Sequence, residues 1–132
     1  MARQLIRYKR LRGQLAPVIT FGIRLGDVWQ AVDAYVDSGA AYTVLTHRIA
    51  EGIGFDYKRG QPLQLLVGDG RSMSIYLHRL ELQIGTIRFD AAVGFTEQLG
   101  LPFNVLGRAD VFSRFTVCFD DATHVLSFDS RD

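Results

Sequence analysis

The chain has 132 residues, 48% hydrophobic and 22% charged, with 15 Lys and Arg against 14 Asp and Glu for a formal charge of +1. That length suits one compact domain and is too short for two cores of ordinary size, and the balance is globular rather than disordered. The near-neutral charge gives no overall reason to expect a nucleic-acid partner, and no apolar run is long enough to cross a bilayer as a helix, so no membrane partner is expected either.

The chain begins with a basic stretch. Arg3, Arg7, Lys9, Arg10 and Arg12 all precede the first acidic residue, Asp27. A secretory signal needs an apolar run after its basic start, and Leu5-Ile6 is too short, although an Arg-rich, acid-poor start also suits some organelle transit segments. Residues 1–17 are therefore expected to form a solvated basic lead into one domain over residues 18–132.

From Ile19 the dominant period is two. Ile19, Phe21, Ile23 and Leu25 alternate with Thr20, Gly22 and Arg24, as in a strand with one buried face. Gly26-Asp27 reads as a turn into a second strand, Val28 to Val36, which makes an early hairpin. Thr46 to Gly52 has the signals of a short helix, with Thr46 as cap and Gly52 or Gly54 as stop. Apolar runs at Leu63 to Val67, Met73 to Ile84 and Ile87 to Phe95 follow, broken at Gly68-Asp69-Gly70 and Gly85-Thr86. A second short helix is expected over Ala109 to Phe115, and Thr116 to Phe128 reads as a terminal hairpin. The fold class is all-β, with one or two short helices.

Cys118 is the only cysteine, so neither an internal disulfide nor a cysteine-based metal site is available, and a reducing, cytoplasmic setting fits. Its place beside Val117 and Phe119 in an alternating run predicts a buried, inert thiol. His47, His78 and His124 lack ligand-like spacing and read as surface or packing residues, so no metal is expected. Gly68-Asp69-Gly70 lacks the Lys-Ser/Thr of a phosphate loop and reads as a hairpin tip.

The stretch richest in chemistry is Ala34-Tyr-Val-Asp37-Ser38-Gly39-Ala40-Ala41-Tyr-Thr43-Val-Leu45. It sets a carboxylate at the end of an apolar strand, followed by a hydroxyl that can hold a loop and a glycine that lets another backbone approach. Asp, Ser and Gly also favour an ordinary polar turn, so the motif alone is weak. Pro102-Phe103-Asn104-Val105-Leu106-Gly107-Arg108 comes about seventy residues later, an apolar pair and Gly-Arg before the second expected helix. Between the two lies Leu63 to Leu77, a hairpin tipped by glycines.

A strand-borne Asp-Ser-Gly, a glycine-tipped hairpin and an apolar-apolar-Gly-Arg run, in this order, resemble the retropepsins, the family of the retroviral aspartic proteases and their cellular relatives. The resemblance runs from about Phe21 to Phe119. It implies a small closed β-barrel-like domain, aspartic endopeptidase activity, a protein or peptide substrate, a homodimer and no cofactor. Asp37 is similar to the family's catalytic carboxylate, and Ser38, Gly39 and Ala40 to the rest of its catalytic loop. Val67, Gly68, Asp69 and Gly70 would belong to the flap over bound substrate. Asn104, Leu106, Gly107 and Arg108 would support the loop from behind.

Two positions depart from the family's pattern. Retroviral members carry an Asp immediately after the Asp-Thr-Gly-Ala run, paired with the arginine, and here Ala41 stands in its place. Asp33, Asp110 and Asp120 are the candidates to replace that partner of Arg108. About a dozen residues also follow Phe119, beyond the point where compact retroviral members end, so a dimer interface built differently is expected. The same fold also suits a homodimeric module that binds extended peptides without cutting them.

Overall fold

The computed structural model describes residues 3–66, 68, 70–98 and 104–131. Strands make up 62% of the structure, and six of them close into a barrel, which is the all-β architecture expected from the two-residue period. In chain order they are β1 (Arg3–Arg7), β2 (Lys9–Leu11), β3 (Gln14–Ala16), β4 (Val18–Leu25), β5 (Val28–Val36) and β6 (Thr43–Thr46). After the helix α1 (His47–Glu51) and a 3-10 turn at Tyr57–Arg59 come β7 (Gln61–Leu66), β8 (Ser72–Ile84) and β9 (Ile87–Thr96). The chain finishes with β10 (Asn104–Leu106), β11 (Phe115–Asp120) and β12 (Val125–Ser130).

The alternation of β4 does what the sequence requires. Ile19, Phe21, Ile23 and Leu25 are buried and Thr20 and Arg24 face out. Gly26, at φ +63°, turns β4 back along β5 with Leu25 opposite Val28. The barrel runs β4-β5-β10-β6-β9-β8, and β8 returns to β4 through Gly22↔Gln83 and Ile23↔Leu82. Closure leaves these six strands without a free edge. The first half of β8 pairs with β7, from Leu66↔Ser72 to Gln61↔Leu77, forming the expected hairpin outside the closed ring.

A second, three-stranded antiparallel sheet, β1-β12-β11, packs on the barrel. The terminal hairpin lies where its sequence placed it, with Phe115 opposite Ser130 and Asp120 opposite Val125. The expectation of a solvated basic lead is corrected. Residues 3–7 pair along β12, with Arg3 and Asp129 joined in an ion pair of 2.8 Å, and residues 9–16 form a hairpin of their own. Its turn is made by Arg12 at φ +54° and Gly13 at φ +82°. Arg3, Arg7, Arg10 and Arg12 are exposed and Lys9 is half-buried, while Ile6 and Tyr8 among them turn inward, so the charge run concealed a strand pattern.

Helix α1 starts at the Thr46 cap, whose hydroxyl accepts from the Arg48 amide at 3.4 Å, and stops at Gly52. The second expected helix does not form. Residues 109–114 make successive turns, because Asp110 takes φ +65°, a left-handed conformation no helix tolerates, while its carboxylate accepts the Ala92 amide at 2.9 Å. Cys118 is exposed rather than buried, since β11 turns Phe115 and Val117 inward and Thr116 and Cys118 outward.

Phe115 links the two sheets. Its ring meets Phe89 of β9 edge-on at 5.4 Å and Phe128 of β12 at 5.7 Å, and it is 1% exposed. Removing it leaves a cavity on both sides, so Phe115→Ala is expected to cost about 3–5 kcal/mol in urea unfolding. A loss below about 1 kcal/mol would mean that the two sheets are not held by this contact.

Candidate active site

The site is built around β10. This three-residue strand runs parallel to β5, with Leu106 opposite Val36, and antiparallel to β6, with Val105 opposite Val44. Asn104 staples the two neighbours: its Oδ1 accepts the Thr46 amide at 2.9 Å and its Nδ2 donates to the Asp33 carbonyl at 3.0 Å. The Leu106 carbonyl then accepts the Asp37 amide at 3.0 Å, which fixes the residue just past the end of β5. Leu106 and Val36 beneath it are buried.

Asp37 is partly buried, and Ser38 and Gly39 after it are exposed. The carboxylate accepts the Gly39 amide through Oδ1 at 2.8 Å, and the Asp37 carbonyl accepts the Ala40 amide at 3.2 Å, so the loop curls over its own carboxylate. The Ala40 and Ala41 carbonyls accept the Arg108 and Ala109 amides, each at 2.9 Å. Asn104, Leu106, Gly107 and Arg108 are thus brought directly behind Asp37, Ser38, Gly39 and Ala40.

Gly107 is the tightest point. Its amide donates to the buried hydroxyl of Thr43 at 3.1 Å, and a Cβ on it would stand 2.2 Å from the Tyr42 carbonyl oxygen. That neighbour is backbone and cannot rotate away. At Gly39 an added Cβ would meet only the Asp37 Oδ1, at 3.2 Å.

None of the three candidate partners reaches Arg108. Asp33 takes Lys9 at 3.2 Å and the Thr20 hydroxyl, and the Thr20 bond with the Lys9 ammonium holds its carboxyl below the usual range. Asp110 takes Arg79 at 3.4 Å, and Asp120 accepts the Ala122 and Thr123 amides at 3.0 and 3.1 Å. Among the described residues the exposed Arg108 side chain has no carboxylate partner, and its contribution to the loop comes through its backbone.

Asp37 and Ser38 border an open groove of about 910 Å³ whose far wall is the β2–β3 hairpin and the β11–β12 turn, including Leu11, Leu15, Phe119 and His124. Sequence reasoning missed this wall, and its signal was the apolar residues interleaved with the basic ones in residues 5–15. Tyr8 pins it in place. The buried ring packs on His124 at 5.8 Å and its hydroxyl donates to Asp121 at 2.6 Å; burial and that bond push the hydroxyl up to about 12.

The β7–β8 turn does not line this groove among the described residues. Gly68 and Gly70 lie in that turn, Gly70 at φ +87°. Val67, Asp69, Pro102 and Phe103, which the sequence also singled out, lie outside the described residues. The three histidines form no metal-ligating group among the described residues: His47 contacts the Thr96 carbonyl, Glu51 and the Tyr57 ring, His78 the Tyr57 carbonyl, and His124 the Tyr8 ring.

Gly107→Ala is expected to destabilise the fold by at least ~1–3 kcal/mol through forced movement of the Tyr42 backbone, and Gly39→Ala by clearly less. Equal urea midpoints for the two variants would contradict this account of the loop.

A family model, gag-polyprotein putative aspartyl protease, matches residues 29–114, which include Asp37 and Arg108. Among solved structures, a retropepsin-like aspartic protease from Rickettsia conorii superposes with a TM-score of 0.69. The match covers 96% of this chain and 89% of that one at 21% identity, a likeness that establishes the fold. No curated protein matches the chain. With well over half of its length matched, including the whole loop and its support, the chain belongs to the family of gag-polyprotein putative aspartyl proteases.

Proposed function

We propose that the protein is an aspartic endopeptidase whose active site is assembled from two copies of the chain, each supplying Asp37. The observation that carries this reading is the placement of Asp37: its backbone amide is held by the Leu106 carbonyl and its carboxylate by the Gly39 amide, at the mouth of a groove, on a loop whose next residues are exposed. The chain has one Asp-Ser-Gly and one barrel, so a second carboxylate has to come from a second chain.

Two Asp37 carboxyls facing each other hold one proton between them, because like charges that close do not both ionise cheaply. The ionised carboxylate takes a proton from a water, whose oxygen attacks the peptide carbonyl carbon. The other carboxyl gives its proton to the carbonyl oxygen as the tetrahedral intermediate forms. Collapse of that intermediate breaks the C–N bond and passes a proton to the departing amine, leaving one carboxyl protonated again. Ser38 braces the paired loops, Gly39 and Ala40 accept substrate backbone, and the β7–β8 hairpin serves as the flap. Substrates are protein or peptide segments in extended form. The single thiol, Cys118, is consistent with a reducing, cytoplasmic setting.

A second reading rests on Ala41. Without a carboxylate there, the Arg108 side chain is unpaired among the described residues, which suits a module that binds peptides and does not cut them. A peptide-library cleavage assay with and without an aspartic-protease inhibitor separates the two. Asp37→Asn is expected to lower cleavage by about a hundredfold or more, with an unchanged circular dichroism spectrum, because the amide keeps the shape and cannot cycle a proton. Full activity in that variant would remove Asp37 from the chemistry, and no inhibitor-sensitive cleavage by the wild type would favour the silent binder.

A further inference from the structure

We infer that the β2–β3 hairpin is a dimerisation arm, and that the groove beside Asp37 receives the same hairpin from a second copy of the chain. This inference rests on the two-chain active site proposed above and names the surface that builds it. Five large apolar side chains are exposed among the described residues, and two of them, Leu15 at 43% and Phe119 at 39%, line this one groove. They come from opposite ends of the sequence, which Tyr8 holds together through His124 and Asp121.

The groove is continuous with Asp37 and Ser38, the residues that would lie nearest a two-fold axis. Across such an axis each chain must offer what the other receives. The hairpin offers Leu15 and a basic turn, where Arg12 has no carboxylate partner among the described residues. The β11–β12 turn beside it on the same wall offers Phe119 and the acidic Asp121. A face carrying both halves of an apolar and charge match is self-complementary, and a second copy is the occupant that fits it.

Sedimentation over a range of concentrations, with cleavage measured on the same samples, tests this directly. Leu15→Glu and Arg12→Glu are expected to raise the dimer dissociation constant about tenfold or more with unchanged circular dichroism, whereas Leu5→Glu, exposed on β1 away from the groove, leaves it within about twofold. Arg12 sits in an exposed turn, so its variant tests the arm even if Leu15→Glu folds poorly. A wild type that stays monomeric at every concentration, or a dimer indifferent to both variants, overturns the docking surface. An active dimer indifferent to both leaves the shared site standing and sinks only the arm. A monomeric Leu15→Glu chain with full activity per chain upholds the arm and sinks the shared site.

Discussion

Everything at the candidate site depends on how closely Gly107 lets two backbones approach. β10 is only three residues long, yet it pairs with β5 on one side and β6 on the other, and the chain leaves it through a residue with no room for a methyl group against Tyr42. Because Gly107 sits there, its amide reaches the buried Thr43 hydroxyl, and the next two amides reach the Ala40 and Ala41 carbonyls. The loop carrying Asp37 is thereby held by backbone from a segment about seventy residues away. A carboxylate on so short a loop would otherwise sample many orientations, and a site for proton transfer needs its acid in one.

The same economy explains why Ala41 can stand where an ion pair is usual in the resembled family. In this chain the loop is tied by two main-chain hydrogen bonds, by Asn104 bridging β5 and β6, and by the Leu106 carbonyl. An exposed Arg-carboxylate pair would add little to this, typically under about 1 kcal/mol. Its absence therefore bears little on whether the loop is formed.

The barrel was legible because a half-buried strand writes its period into the sequence, as β4 and the β8–β9 pair do. The helix α1 was legible from its cap, and the loop and its support from Asp37-Ser38-Gly39 and Gly107-Arg108. What stayed hidden was decided by tertiary contacts. The N-terminal strands were masked by arginines on their outer face, and only β12 shows why residues 3–7 are extended. Asp110 broke a plausible helix because the Ala92 amide and Arg79 claim its carboxylate. Cys118 was misplaced by one face, the error a two-residue period always permits when both neighbours are apolar.

The central claim is that catalysis requires two Asp37 carboxylates on different chains, and subunit mixing tests it most directly. Wild-type and Asp37→Asn chains, exchanged freely and combined in equal amounts, should retain about a quarter of the activity per total chain, because only pairs with two carboxylates cut. With exchange confirmed by tagged subunits, activity should follow the square of the wild-type fraction. A linear curve, with about half the activity at equal mixing, would mean that each chain works alone and would contradict the shared site.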